Sequence, residues 1–311
     1  MRSELFDQQR PAWISVILIF LVSMLGFVIV GPLVGMLVAS LFFDGNIMMM
    51  ITQLSHPEDY PGIKISFFIV QGCATFVGLI IIPALYIMVM EKKNPLAIFK
   101  SQPIYSQSVL LTILVVIIFM IPNTFFIHWN ANISLPDFMK GFETWAREKE
   151  ELAAAATTLL TTFDNFNQFI LAFVVMAVFA GIGEELVFRG MLQPELHRAT
   201  GNIHAAIWIS AILFSAIHMQ FFGFVPRVLL GVLFGYLYYW SGNIFIPMLA
   251  HFVNNGFQVF MMYLYQLGLI NMNMDSEEPA SPFLIVLFTF FAFGILLCLK
   301  RFHRENNNFA S

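Results

Sequence analysis

Apolar residues run along this chain in blocks that charged residues rarely interrupt, and eight blocks are long enough to cross a hydrocarbon layer as helices. They fall near residues 12–43, 65–90, 108–127, from 166 onward, 203–219, 224–240, 244–263 and 283–299. The pattern predicts an all-α, polytopic membrane bundle of about eight transmembrane helices. The first block is too long and uninterrupted for a cleaved leader, and more spans follow it, so it is expected to stay in the mature protein. Residues 136–163, "PDFMKGFETWAREKEELAAAATTLLTTF", differ. Helix formers run through them, and Phe138, Phe142, Trp145 and Leu152 recur on one helical face, as in an amphipathic helix on the outer membrane surface or a cap over the bundle. Three regions follow: 1–164 with the first spans and this segment, 165–263 as a core, and 264–311 with a loop, the last span and a tail.

Composition agrees with a lipid environment. Apolar residues make up 59% of the chain and charged ones 11%, whereas soluble domains carry about a quarter charged residues. The basic residues also set sides. An even number of spans returns the chain to its starting face, and placing both termini and the second, fourth and sixth connections there collects ten of the fifteen. These are Arg2, Arg10, Lys92, Lys93, Lys100, Arg189, Arg198, Lys300, Arg301 and Arg304, so both termini are expected to be cytoplasmic in a cell membrane. The opposite face keeps Lys64, Lys140, Arg147, Lys149 and Arg227 with the acidic runs "HPEDYPG" and "MDSEEPASP". No basic patch interleaved with aromatics points to nucleic acid. Cys73 and Cys298 lie within predicted spans and read as small packing residues, and no internal repeat of the kind seen in many transporters is visible.

Within the fourth span, fifteen uncharged residues from Phe169 to Gly183 are followed by Glu184, Glu185 and Arg189. Placing the next turn at "ATGN" (199–202) puts Glu184 sixteen residues before Thr200 and His218 sixteen after Asn202, each about 24 Å from the turn at 1.5 Å per residue. The two would share a level inside the bundle. Ionisable groups there are costly, about 2.5 to 3.5 kcal/mol each, and are expected to be paired or functional. Glu185 and Arg189, four apart with the carboxylate first, suit an intrahelical ion pair; Glu184 points about 100° away. "HFVNN" adds His251 and Asn255 on one face of another span, and "FSAIH" sets His218 four residues after Phe214. A carboxylate, two imidazoles and an amide on three helices are groups able to activate water and stabilise an oxyanion.

The ordered set "EELVFR", "FSAIH" and "HFVNN" resembles the three motifs of the CPBP family of intramembrane proteases. That family, also called Abi, includes type II CAAX prenyl proteases and bacteriocin-processing or bacteriocin-immunity proteins. The likeness covers residues 166–263, about a third of the chain. It implies a hydrolase in which Glu184 takes a proton from water, helped by His218, while Glu185 and Arg189 hold its surroundings. His251 and Asn255 would face the scissile carbonyl. The substrate would be a peptide or protein, lipidated or membrane-embedded, cut by direct water attack. Glu184, His218 and His251 also match a two-histidine, one-carboxylate zinc site, although H-E-x-x-H is absent, so metal-assisted and metal-free activation both stay open.

Plainer roles exist for the same residues. The charge cluster would suit a helix end, either histidine could be a hydrogen-bonded packing group, and Asn254 could replace Asn255 in bonding a neighbouring helix. His56, His128, His197, His204 and His303 read as solvated, and "GYLYYWSGN" as an interfacial aromatic belt. Two other functions compete with the protease: a non-catalytic scaffold or immunity factor, and a proton-coupled transporter.

Overall fold

The computed structural model describes residue 6 and residues 9–55, 60–99, 102–271 and 278–308. Arg2, His56 and Lys100, with residues 56–59 and 274–277 of the two acidic runs, lie outside the described residues. Among those described, the chain is helical and contains no strand. Its helices are α1 (Ala12–Ala39), α2 (Ile47–Ser55), α3 (Lys64–Val89), α4 (Ser106–Ala131), α5 (Lys140–Thr161), α6 (Phe166–Thr200), α7 (Ile203–Ala216), α8 (Phe224–Ser241), α9 (Phe245–Gln266) and α10 (Pro282–Asn308). Five of them, α1, α3, α4, α6 and α10, are long and apolar enough to cross a bilayer. Helix α7 is apolar but only 14 residues long, and α8 and α9 fall on the sixth and seventh expected blocks. The protein is an integral, multi-pass helical membrane bundle.

Among the described residues, prolines follow three of the four π turns in the long helices; the fourth, at Val174–Phe179 of α6, has none after it, and Pro122 sits within α4 without such a turn. A proline inside a helix lacks an N–H and collides with the carbonyl four residues back, and a π turn removes both problems by widening the backbone ring. Pro32, Pro83 and Pro194 each lie just after such a turn, at Gly26–Val30, Val77–Ile81 and Leu186–Leu192. The last belongs to α6 and starts directly after Glu185. Helix α6 ends at Thr200, where Gly201 takes a left-handed conformation (φ +65°), and the Asn202 side chain caps α7 by accepting from the amides of His204 and Ala205. The turn is the one expected from the sequence.

Backbone contact joins α1 to α3. A Cβ on Gly78 would stand 2.5 Å from the Cα of Phe27, and one on Gly26 would stand 2.7 Å from the carbonyl oxygen of Gly78. Only glycine permits this approach, in which packing rather than a hydrophobic driving force holds helices together in lipid. The same pair supports α6, since Leu79 and Tyr86 of α3 and Ile19 of α1 share a core with Val187, Phe188 and Leu192.

The connections sort onto two faces. On one, Arg10 Nη1 donates to Tyr86 Oη and Glu91, Arg198 Nη1 donates to the carbonyl of Arg10, Asn243 bonds the carbonyl of Gln102, and His303 Nε2 pairs with Ser108 Oγ at 2.9 Å. The N-terminal segment, the second, fourth and sixth connections and the end of α10 therefore gather together, as the distribution of basic residues requires. On the other face, Lys64 and Gln266 bond the carbonyls of Thr162 and Thr161 at the end of α5.

Two expectations need correction. His303 is buried, because α10 continues as helix past the apolar block and presses it against Ser108 of α4. Cys298 is exposed on the surface of α10, while Cys73 packs beneath Gly35. In the 136–163 segment, which contains α5, Phe138, Phe142, Trp145 and Leu152 are exposed, as the apolar face of a surface helix would be, and Ala146 and Leu160 are buried. Arg147, Glu150 and Phe142 dock that helix onto the loop before α8, with Arg147 over the ring of Phe222 at 4.3 Å and Phe142 against Phe221. Within α5, Arg147 holds the carboxyl of Glu143 below its ordinary range.

Replacing Gly78 by leucine drives a side chain into the backbone of α1. Folded protein recovered from membranes in detergent, followed by size-exclusion chromatography, is expected to fall sharply, while leucine at Gly294, where a Cβ meets nothing within 4 Å, leaves recovery unchanged.

Candidate functional site

The site is built where α6, α7, α8 and α9 meet. Glu185 and Arg189 lie one turn apart on α6, and their side chains are wholly buried. Arg189 Nη1 donates to Glu185 Oε1 at 2.7 Å, and Nη2 donates to the carbonyl of Gly231 on α8 at 2.8 Å. The guanidinium also lies 5.0 Å from the ring centre of Phe214 and 5.6 Å from that of Phe234, within cation–π range. Glycine at 231 makes this possible, because a Cβ there would stand 2.9 Å from Ala211 and 3.3 Å from Arg189 Nη2.

The same Glu185 oxygen receives His251 Nδ1 at 2.8 Å from α9. A carboxylate can only accept, so Nδ1 carries the proton and, in the neutral ring, Nε2 carries the lone pair. That nitrogen lies 3.8 Å from Glu184 Oε2. The two carboxylates differ in access: Glu185 has no exposed side-chain surface, whereas 14% of the Glu184 side chain is accessible. Glu184 is thus the carboxylate a water molecule can reach, and Glu185 is the one that holds the imidazole.

His218 lies beyond the end of α7, which stops at Ala216. The final carbonyls of a helix lack intrahelical donors, and His218 Nδ1 supplies one to Phe214 at 2.8 Å. A carbonyl only accepts, so in the neutral ring the free lone pair is again on Nε2. The Phe214 ring lies edge-on to both imidazoles, with centroids 5.2 Å from His218 and 6.0 Å from His251. Glu184, Glu185, Arg189 and His251 therefore come together directly, and His218 joins them across Phe214. Asn255 is turned to its own neighbours: its amide donates to the carbonyl of Met176, and its oxygen accepts from Asn254.

Among the described residues no three His, Cys, Asp or Glu side chains stand close enough to hold a metal ion, so Glu184, His218 and His251 are not gathered as a three-ligand set. Each imidazole donates Nδ1–H to a protein oxygen and keeps Nε2 free, an orientation also used by metal-binding histidines.

Polar residues on the outer side complete the surroundings and were not singled out from the sequence. Glu150 of α5 accepts from Gln220 Nε2 at 3.1 Å and from the amide of Phe222 at 3.2 Å, while Gln220 Oε1 accepts from Arg227 Nη2 at 2.8 Å. The signal was present in "GFVPRVLLG", where an arginine interrupts the first turn of an otherwise apolar helix.

Residues 166–257, which contain every one of these α6–α9 site residues, match the family model described as type II CAAX prenyl endopeptidase Rce1-like. Two proteins of Bacillus subtilis (strain 168) are similar over part of this chain. The "Uncharacterized protein YpbD" is 30% identical over 84 residues, 26% of this chain and 40% of that protein. The "Putative membrane peptidase YdiL" is 29% identical over 91 residues, 29% of this chain and 37% of that protein. The matches thus span about two fifths of the relatives' own lengths. No solved structure matches the chain.

The two adjacent carboxylates are expected to respond oppositely to loss of charge. Glu185→Gln leaves the Arg189 guanidinium buried without its counter-ion and is expected to cost about 3 to 5 kcal/mol. Glu184→Gln removes a charge that has no ion-pair partner on its own helix, and thermal unfolding in detergent should place its midpoint at or above that of the wild type.

Proposed function

We propose, because residues 166–257 match the type II CAAX prenyl endopeptidase Rce1-like family model, that this chain is an intramembrane endopeptidase. The observation that carries the reading is the accessible carboxylate of Glu184 beside an imidazole nitrogen whose partner nitrogen is fixed by Glu185. A water placed between Glu184 Oε2 and His251 Nε2 gives its protons to two acceptors and turns its own lone pairs outward. Attack on a peptide carbonyl then transfers a proton to Glu184, the general base. His218, across the Phe214 ring from His251, keeps a free Nε2 lone pair and assists in moving that proton. Glu185 and Arg189 act on the imidazole and the helix, and do not touch the water. The groups gathered at the site include no serine, cysteine or threonine nucleophile beside a base, which favours direct hydrolysis over an acyl-enzyme.

The substrate is a peptide or protein segment reaching the site through the bilayer, lipidated or membrane-embedded, and the protein sits in the cell membrane with both termini in the cytoplasm. The gathering of Arg10, Arg198 and the end of α10 on one face supports that orientation. The site's place in α6, on the far side of the π turn from that face, supports a scissile bond below the cytoplasmic surface.

The test compares protein termini in membranes of host cells carrying the wild type or Glu184→Gln at matched abundance. New termini are expected only with the wild type, and the cut sites identify the substrate. Identical profiles, with a cellular phenotype that still depends on the protein, would instead favour a scaffold or immunity role. A phenotype that tracks proton flux without any cleaved bond would favour a transporter.

A further inference from the structure

Glu184, Glu185, Arg189 and His251 stand on helices, but His218 is carried by the loop of residues 217–223, since α7 stops at Ala216. The residue after it, Met219, has φ +55°, in the left-handed region that a side chain of this bulk seldom adopts. Such a conformation persists only where the surroundings enforce it, and it is found most often at functional sites. The turn at Met219 sets the direction in which the chain leaves His218, so the groups that hold the turn also hold the imidazole.

That loop is held from two helices outside the α6–α9 core. Asn130 of α4 donates Nδ2 to the Phe221 carbonyl at 3.1 Å and accepts from the Val225 amide at 2.7 Å. Glu150 of α5 accepts from Gln220 Nε2 at 3.1 Å on one oxygen and from the Phe222 amide at 3.2 Å on the other. Gln220 is two residues from His218 and is gripped at both ends of its amide, because its oxygen accepts from Arg227 Nη2. A backbone N–H left unpaired in a part-buried loop is costly, and Glu150 is the group that meets it at Phe222. Phe142 and Arg147 add contacts with the rings of Phe221 and Phe222. Helix α5 can serve as a fixed support, because Lys64 of α3 and Gln266 of α9 bond the carbonyls of Thr162 and Thr161 at its end.

We propose that Glu150 is a positioning residue for His218, acting through Gln220 and the backbone of residues 217–223. Its two hydrogen bonds, together with the pair made by Asn130, hold the left-handed turn at Met219. His218 Nδ1 is thereby kept on the Phe214 carbonyl and Nε2 is left as an acceptor, with the Phe214 ring edge-on to both imidazoles. Glu150 itself touches neither water nor substrate. The assignment rests on the endopeptidase reading, in which His218 assists in moving the proton that Glu184 takes from water. It gives the amphipathic segment a function, because α5 then couples the outer face of the protein to the loop that carries the imidazole. Without the carboxylate, the Phe222 amide loses its partner, Met219 relaxes to a commoner backbone conformation, and the imidazole leaves the Phe214 carbonyl.

The experiment is a double-mutant cycle on the full-length protein in liposomes, with a synthetic peptide spanning the cut site found in the terminus comparison. Glu150→Ala is expected to lower kcat by up to about 10²-fold, the scale of a small misplacement of a reacting group, with KM little changed. Glu150→Gln keeps an oxygen for the Phe222 amide and should retain more of the rate. In a His218→Ala background, Glu150→Ala should cost nothing further, because the imidazole it positions is gone. Hydrogen exchange of residues 217–223 should quicken in Glu150→Ala while the unfolding midpoint stays near that of the wild type. Undiminished kcat overturns the proposal, as does unaltered exchange in the loop. So does an equal loss in both backgrounds, which would mean that Glu150 acts on the fold and not through His218. Should Glu150→Ala fail to accumulate, Gln220→Ala, which removes one of the two bonds, takes its place in the cycle. Should His218→Ala have no measurable rate, the kcat loss and loop exchange of Glu150→Ala at an unchanged midpoint decide. A wild type that cleaves neither this peptide nor any protein in membranes removes the endopeptidase reading itself; an active wild type with additive losses removes only this assignment.

Discussion

The ion pair between Glu185 and Arg189 is the constraint around which the α6–α9 core is arranged. Both side chains are enclosed, and a buried pair relies on further hydrogen bonds to offset its desolvation. Arg189 reaches the Gly231 carbonyl and lies against two phenyl rings, which fixes the distance between α6 and α8, while its Nε has no partner. Glu185 Oε1 takes His251 Nδ1, which fixes α9, while Oε2 has none. Three helices are registered by one charge pair. Glycine at 231 and the π turn beginning at Leu186 are its local accommodations.

The consequence for chemistry is a division of labour between neighbouring residues of the same type. Successive positions on a helix point about 100° apart, so two adjacent glutamates cannot share an environment. One is sealed in and holds an imidazole; the other keeps an accessible edge beside the far nitrogen of that imidazole. Both tautomers follow from hydrogen bonds to oxygens that only accept, so the ring nitrogens on offer to a water are acceptors at both histidines. Support comes from outside this core as well. Helix α3 packs through glycines against both α1 and α6, and α5 closes the outer end through Glu150 and Arg147.

Much of this was legible in the sequence because it depends on one-dimensional spacing. Hydropathy blocks gave the helices, "ATGN" gave the α6–α7 turn, and the i,i+4 spacing gave the Glu185–Arg189 pair. What depends on rotation about a helix axis was not legible. The sequence placed Glu184 and His218 at one level, but it did not show that His218 lies past the end of α7 or that His251 brings a ring nitrogen to Glu184. Asn255 shares a helix with His251, but a bond to Met176 turns its amide away. The apolar stripe of α5 left open a helix on the membrane surface or a cap over the bundle, and the contacts of Glu150 with Gln220 and Phe222 are not visible in that stripe. Arg227 passed as one more basic residue on the outer face, because nothing in spacing alone reveals a guanidinium held by a glutamine.

A double-mutant cycle on the buried pair tests the central dependence most directly. Thermal unfolding of the purified protein in detergent would be compared for the wild type, Glu185→Gln, Arg189→Met and the double variant. If the pair is the organising interaction, each single change strands a charge, and the double variant should be no less stable than the weaker single one, a strongly non-additive result. Losses that simply add would mean that Glu185 and Arg189 act independently, and the α6–α9 core would have to be held by something else.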